Sequence, residues 1–162
     1  MSALAYTTAK MPGGTIAVVI DAGVVVASSF RGIADIRSRL STELFFKKAA
    51  LPTLEDLLDR YRGGELAALD EVEVAQFGGP FQQGVWVAMR TIEPGTTDTY
   101  GGLAMRAGRP RAYRAVGTAC SVNLVAPFVP CHRVVAASGI GGYGYGLDVK
   151  RALLKHEGAS FE

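Results

Sequence analysis

A chain of 162 residues, 49% hydrophobic and 20% charged, has room for one ordinary domain or two small ones, and this composition excludes a disordered or fibrous protein. No apolar run reaches the length of a membrane span, and two cysteines, Cys120 and Cys131, are too few for a disulfide framework. The net charge of +2 conceals an uneven distribution: residues 1–79 carry eight Lys/Arg against ten Asp/Glu, and residues 80–162 carry nine against five, so anion binding belongs to the second half.

Met1 to Gly14 has Lys10 as its one charge and lacks the apolar centre of a secretory signal, so it reads as a loose start to a cytoplasmic protein with both thiols reduced. Thr15 to Ile20 and Gly23 to Phe30 are β-branched apolar runs joined by Asp21-Ala22-Gly23, the pattern of a hairpin. Ile33, Ile36, Leu40 and Leu44 recur at helical spacing and predict a helix from Ile33 to Ala49, with Lys47 and Lys48 at its C-terminal end. Thr53 is the expected N-cap of a second helix through Arg62, whose stripe is Leu54, Leu57, Leu58 and Tyr61 and whose stop is Gly63-Gly64. Glu55, Asp56 and Asp59 lie off that stripe and read as a solvated face.

Gly78-Gly79-Pro80 marks the join between halves. Pro80 suits a first helical turn, and Phe81, Val85, Trp86 and Met89 give the helix an apolar face. After Pro94-Gly95, a short helix is expected from Tyr100 to Arg106, a turn at Gly108-Arg109-Pro110, and a further helix from Arg111 to Ser121 with a small-residue face at Ala112, Ala115, Gly117 and Ala119. This is the outline of a helix-turn-helix or of a plain helical corner. Arg114 favours the former, because a cation in a first turn opposes the helix dipole unless an outside anion such as a phosphate compensates. Asp148 is the expected N-cap of a last helix and Gly158 its stop, with Val149, Leu153 and Glu157 on the buried face.

The chemistry concentrates in Pro130-Cys131-His132-Arg133-Val134-Val135 and the glycine-dense Gly139 to Gly146 that follows. An unassisted cysteine is only about 3% thiolate at neutral pH, so a nucleophilic role needs a base such as His132, reached through a turn or a bridging water. A buried structural cysteine beside a satisfied histidine is the alternative for the pair alone. Gly139, Gly141 and Gly144 fit G-x-G-x-x-G, yet no helix packed on a strand follows, which rejects a dinucleotide site. Cys120, His156 and the Cys131-His132 pair lack metal-ligand spacing.

The hexapeptide Pro130 to Val135 resembles the active-site motif of the O6-alkylguanine-DNA alkyltransferases. Thr99-Tyr100-Gly101-Gly102-Leu103-Ala104, Arg114-Ala115-Val116-Gly117, Asn123, Gly141-Gly142-Tyr143, Gly146-Leu147 and Leu153 to Gly158 follow in that family's order, so that the similarity covers about Phe81 to Gly158. It implies an α/β (α+β) chain, with a small N-terminal sheet-and-helix domain at residues 1–78 supporting a mainly helical C-terminal domain at 79–162. It further implies direct repair of O6-alkylguanine, and of O4-alkylthymine, in double-stranded DNA by base flipping and irreversible transfer of the alkyl group to a cysteine. The roles implied are Cys131 as nucleophile, His132 as base through water, Glu157 as its orienter and Asn123 as a brace. Thr99, Tyr100, Arg109, Arg111, Arg114, Ala115 and Gly117 would meet DNA, with Arg114 filling the gap left by the extruded base. Tyr100, Val134, Tyr143, Gly144 and Tyr145 would line the pocket. No cofactor or metal is implied, and the protein would act as a monomer, alone or clustered on DNA. A non-catalytic lesion binder of the same fold is the rival, although relatives of that kind lack the nucleophile. The chain departs from the pattern at Tyr145, where glycine is typical and where a ring narrows the pocket, and at Leu124, Arg109-Pro110 and Gly101.

Overall fold

In the computed structural model, which describes residues 3–40 and 43–161, five strands form one sheet in the order β4-β1-β2-β3-β5. β2 (Gly14–Asp21) and β3 (Val24–Ser29) make the expected hairpin, closed by Ala22 and Gly23 at φ 49° and 83°, the left-handed pair that a tight turn between twisted strands requires. Ile16, Val18 and Val25 enter the main core, while Ala17, Val19 and Ala27 pack with Ile36 of α1 (Ile33–Arg39) in a second, smaller cluster.

Two segments differ from expectation. The supposed loose start is β1 (Ala3–Met11), antiparallel to β2 from Ala5–Ile20 to Met11–Gly14. Its Ala/Thr-rich side chains carry little apolar signal, and its order comes from the ladder that β2 offers. The helix expected to reach Ala49 ends at Arg39; Phe45–Lys48 is instead β4, parallel to β1 at the sheet edge, and residues 41 and 42 lie outside the described residues. Leu44 matches the helical spacing, but the unpaired edge of β1 captures the segment after it.

α2 (Pro52–Arg62) starts one residue before Thr53, and the amide of its cap, Leu51, donates to Glu55 at 2.6 Å. Its stripe of Leu54, Leu57, Leu58 and Tyr61 is buried as expected, each side chain contributing about 1.5–3 kcal/mol. A 3-10 turn (Leu66–Glu71) and β5 (Glu73–Val74), parallel to β3, lead to α3 (Pro80–Arg90), which buries Val85, Trp86 and Met89.

β6 (Asp98–Thr99) runs directly into α4 (Tyr100–Arg106), and α5 (Tyr113–Ser121) begins two residues later than expected, after a connection in which Gly108 has φ 84°. β7 (Val134–Val135) pairs in parallel with β6, which sets Cys131 beside the start of α4. α6 (Leu147–His156) is capped by Gly146 rather than Asp148, which lies in its first turn.

The halves are joined by polar contacts as well as by one continuous apolar core. Ser28 Oγ donates to Ala126 O at 2.5 Å, and the Arg90 guanidinium ties the carbonyls of Leu69 and Val72 to that of Phe128. Among the described residues no helix is long and apolar enough to cross a membrane.

Candidate active site

Cys131 opens a single 3-10 turn, Cys131–Arg133, and its sulfur accepts from Asn123 Nδ2 at 3.3 Å. Asn123 sits just past α5 with every polar atom engaged. Nδ2 also donates to Val129 O at 2.8 Å, and Oδ1 accepts from Gln76 Nε2 at 2.9 Å and Val125 N at 3.2 Å. Two donors on Oδ1 oblige the amide nitrogen to face the sulfur, the orientation that favours a thiolate. Burial acts the other way. The side chain is 7% exposed, and desolvation pushes the thiol above its ordinary range despite the Asn123 bond and the positive charges of Lys150 and Arg39. The resting sulfur is therefore a thiol, and the next side chain, His132, is a base.

That base is fully buried. Burial lowers the affinity of the His132 ring for a second proton, only partly offset by Glu157, so the imidazole is neutral. Its Nε2 lies 3.0 Å from Glu157 Oε2. Burial alone would raise the Glu157 carboxyl, but hydrogen bonds from His132 and Arg133 outweigh it and hold the group well below the usual carboxylate range. An ionised carboxylate only accepts, so Nε2 carries the ring proton and Nδ1, which has no partner among the described residues, keeps its lone pair. Arg133 reaches both Glu157 oxygens through Nε and one terminal nitrogen, at 2.8 and 2.9 Å, and Tyr61 donates to Oε2 at 2.7 Å.

Two adjoining clefts of about 180 and 230 Å³ meet at the thiol and share Cys120, Ser121, Cys131, Tyr143 and Gly144. Tyr100, Gly117 and Gly142 complete one, and Arg31, Arg39, Asn123 and Tyr145 the other. Gly141, at φ 75°, is required here, because a Cβ would lie 3.0 Å from Ala136 N and 3.2 Å from the Tyr100 hydroxyl. Burial raises the hydroxyls of Tyr100, Tyr143 and Tyr145, which keeps all three protonated as donors. Tyr145 is anchored from the first half: Arg39 donates to its hydroxyl at 2.9 Å, that hydroxyl donates to Ser28 O at 3.2 Å, and Phe30 meets its ring edge-on at 5.5 Å. Val134 does not join the cleft walls; its side chain is in the core and its carbonyl accepts from Lys150.

The basic count of the second half resolves into two sets. Arg133 and Lys150 are buried, Arg90 is spent on carbonyls, and Arg106 is held by Asp98 at 2.5 Å. Arg109, Arg111 and Arg114 are exposed on the α4–α5 turn and the first turn of α5, with Arg109 stacked over Phe81 at 5.0 Å, and Arg151 and Lys155 are exposed on α6. Ala115 is exposed, and Thr99 caps α4, its hydroxyl accepting from Gly102 N at 2.9 Å.

Several functional side chains escaped the sequence reading. Lys150 shares the α6 stripe with Leu153, Leu154 and Glu157, so its position alone marked it as buried; its ammonium donates to Val134 O and Gly142 O at 2.7 and 2.8 Å, and burial lowers it to about 8. Tyr61 likewise lay on a recognised apolar stripe, where its hydroxyl needed a partner. Gln76, Arg31 and Arg39 had no local signal, since their roles arise from tertiary contact alone.

The family described as 6-O-methylguanine DNA methyltransferase, DNA binding domain, matches residues 80–159. The methylated-DNA–protein-cysteine methyltransferase of Methanosarcina acetivorans is 45% identical over 123 residues, 75% of each chain. That of Salmonella typhimurium is 47% identical over 106 residues, 65% of this chain and 62% of the relative. Among solved structures, Mycobacterium tuberculosis OGT in complex with DNA superposes with a TM-score of 0.81 at 37% identity, covering 95% of this chain and 92% of that one. The O6-methylguanine-DNA methyltransferase of Pyrococcus kodakaraensis gives 0.72 at 27% identity, covering 96% and 99%. With its thiol, amide, imidazole and carboxylate in this arrangement and these relatives beside it, the chain belongs to the methylated-DNA–protein-cysteine methyltransferase family.

Proposed function

We propose that this protein repairs double-stranded DNA by moving the alkyl group of O6-alkylguanine, or of O4-alkylthymine, to Cys131, once per molecule. Residues 79–162 carry the chemistry and the DNA contacts, and residues 1–78 support them. The target carbon lies inside a stacked duplex, so the base must leave the stack before the sulfur can approach opposite the departing oxygen. Arg109 and Arg111 meet phosphates, Thr99, Ala115 and Gly117 lie along the approach to the duplex, and Arg114 occupies the gap left by the extruded base. Tyr143 stacks on the flipped purine, and Gly144 and Tyr145 bound the space for the alkyl group.

His132 Nδ1 takes the thiol proton through one water, and Glu157 stabilises the imidazolium that results. The thiolate, held by Asn123, attacks the alkyl carbon. A carbon–sulfur bond forms as the carbon–oxygen bond breaks, and its electron pair passes to the guanine, which takes up a proton while its ring accepts a hydrogen bond from Tyr100; the imidazolium gives its own proton back to solvent. The product thioether offers water no good leaving group, so the thiol is not restored. A free thiol nucleophile suits a reducing compartment such as the cytoplasm, and the protein works there as a monomer, alone or clustered on DNA.

The observation that carries this reading is the Cys131 sulfur at the meeting of two clefts, bonded to Asn123 and backed by the His132–Glu157 pair. Incubation with an oligonucleotide containing O6-methylguanine, followed by intact mass measurement, should give one added methyl per chain, mapped to the Cys131 peptide. Cys131→Ser should bind the same DNA and gain no mass. An unmodified wild-type chain would leave only a lesion-binding protein.

A further inference from the structure

We infer that Gln76 is a positioning residue for Cys131, holding the Asn123 carboxamide in the orientation that donates to the sulfur. This rests on the reading of Cys131 as the nucleophile. Gln76 lies between β5 and α3, forty-seven residues before Asn123. Its Nε2 donates to Asn123 Oδ1 at 2.9 Å, its Oε1 accepts from Leu124 N at 2.8 Å, and its own carbonyl accepts from Gln83 Nε2 at 2.7 Å. The side chain thus spans two successive residues of the loop after α5.

The adjacent residue shows that apolar burial does not place this segment. Phe77 is wholly exposed, so the polar contacts of Gln76 fasten the chain at this point. Turned over, the Asn123 amide would present Oδ1 to the sulfur, and a lone pair against a forming thiolate is repulsive. Val125 N, at 3.2 Å, is the other donor to Oδ1 and the longer of the two. A donor on Oδ1 also polarises the amide and strengthens its N–H toward sulfur. Val129 O, which accepts from Nδ2 at 2.8 Å, and Val125 N set the same direction from the backbone; Gln76 adds the shorter donor to Oδ1, reinforcing that direction and improving the amide as a donor without touching the reacting atoms.

The test is the pH dependence of Cys131 alkylation by iodoacetamide, read by peptide mass mapping, together with single-turnover methyl transfer from the modified oligonucleotide. Gln76→Leu should move the alkylation midpoint up by about one unit and slow methyl transfer at neutral pH about tenfold, the scale of one hydrogen bond to a charged group. Gln76→Glu keeps an acceptor for Leu124 N but offers Asn123 no donor, and should move the midpoint further. In an Asn123→Ala background, Gln76→Leu should add nothing. A Gln76→Leu protein that melts earlier yet keeps the wild-type pH profile overturns the inference and leaves Gln76 a brace. Wild-type protein that transfers to Cys131 while both Gln76 variants match it sinks this inference alone; wild-type protein that transfers nothing to Cys131 removes the functional reading and this inference together.

Discussion

Tyr61, at the C-terminal end of the buried stripe of α2, donates its hydroxyl to Glu157 Oε2 at 2.7 Å across ninety-six residues of sequence. The carboxylate that aligns His132 is thus completed by the half of the chain that holds no reactive group. Tyr61→Phe keeps the ring and its packing but removes one donor from a buried charge. It should cost about 1–3 kcal/mol in urea unfolding and slow methyl transfer only modestly, because Arg133 and His132 still hold the carboxylate.

Glu157→Gln should be more severe. It leaves the Arg133 guanidinium buried without its counter-charge, a loss of about 3–5 kcal/mol, and it turns one of the two acceptor oxygens into an NH2 donor, so that either His132 Nε2 or the Arg133 guanidinium faces a donor. Denaturant unfolding and single-turnover transfer should both report it.

The acid limb of the stability curve follows from two depressed groups. Folded His132 resists the proton that the unfolded chain accepts below about 6.5, so stability falls as pH drops through that region. Glu157 is held low in the folded state, so its contribution is fully present above about 4.3 and is lost as pH falls from there toward its folded value. Urea midpoints measured from pH 7 to pH 3 should decline in these two stages, and the second should vanish in Glu157→Gln.

Tyr145→Gly removes a ring from the cleft wall together with its bonds to Arg39 and Ser28 O. The ratio of rates for O6-benzylguanine and O6-methylguanine in matched oligonucleotides should rise at least about tenfold, the scale on which pocket volume discriminates apolar groups.

Arg114→Ala should slow transfer from duplex DNA while leaving reaction with free O6-methylguanine base unchanged, because the side chain acts on the duplex and not on the thiol. Arg111→Ala should weaken DNA binding about equally for all sequences and lower the salt slope by about one.

What could be read in advance was what local chemistry dictates. The hairpin, the α2 stripe, α3 from Pro80 and the α4 boundaries all follow from periodicity and punctuation, and the order of motifs around Cys131 pointed to the segment that the two clefts meet. What could not be read depended on partners remote in sequence. β1 and β4 exist because each finds a strand edge, and Phe45–Lys48 joins β1 although the residues before it keep a helical spacing. Arg133 and Lys150 counted toward the basic excess of the second half until burial claimed them, and the same burial holds the resting thiol protonated. Gln76, Arg31 and Arg39 reach the site only through the folded chain.

The polar bridges between the halves bear on what a fragment could do. Severed at Gly79, the later part would retain its thiol, imidazole and carboxylate, yet Glu157 would lack Tyr61, Asn123 would lack Gln76, and the loop at Gly144 and Tyr145 would lose both arginines. The first part is the mould in which the reactive part sets, and an excised fragment would inherit every reagent without the shape that makes them act together.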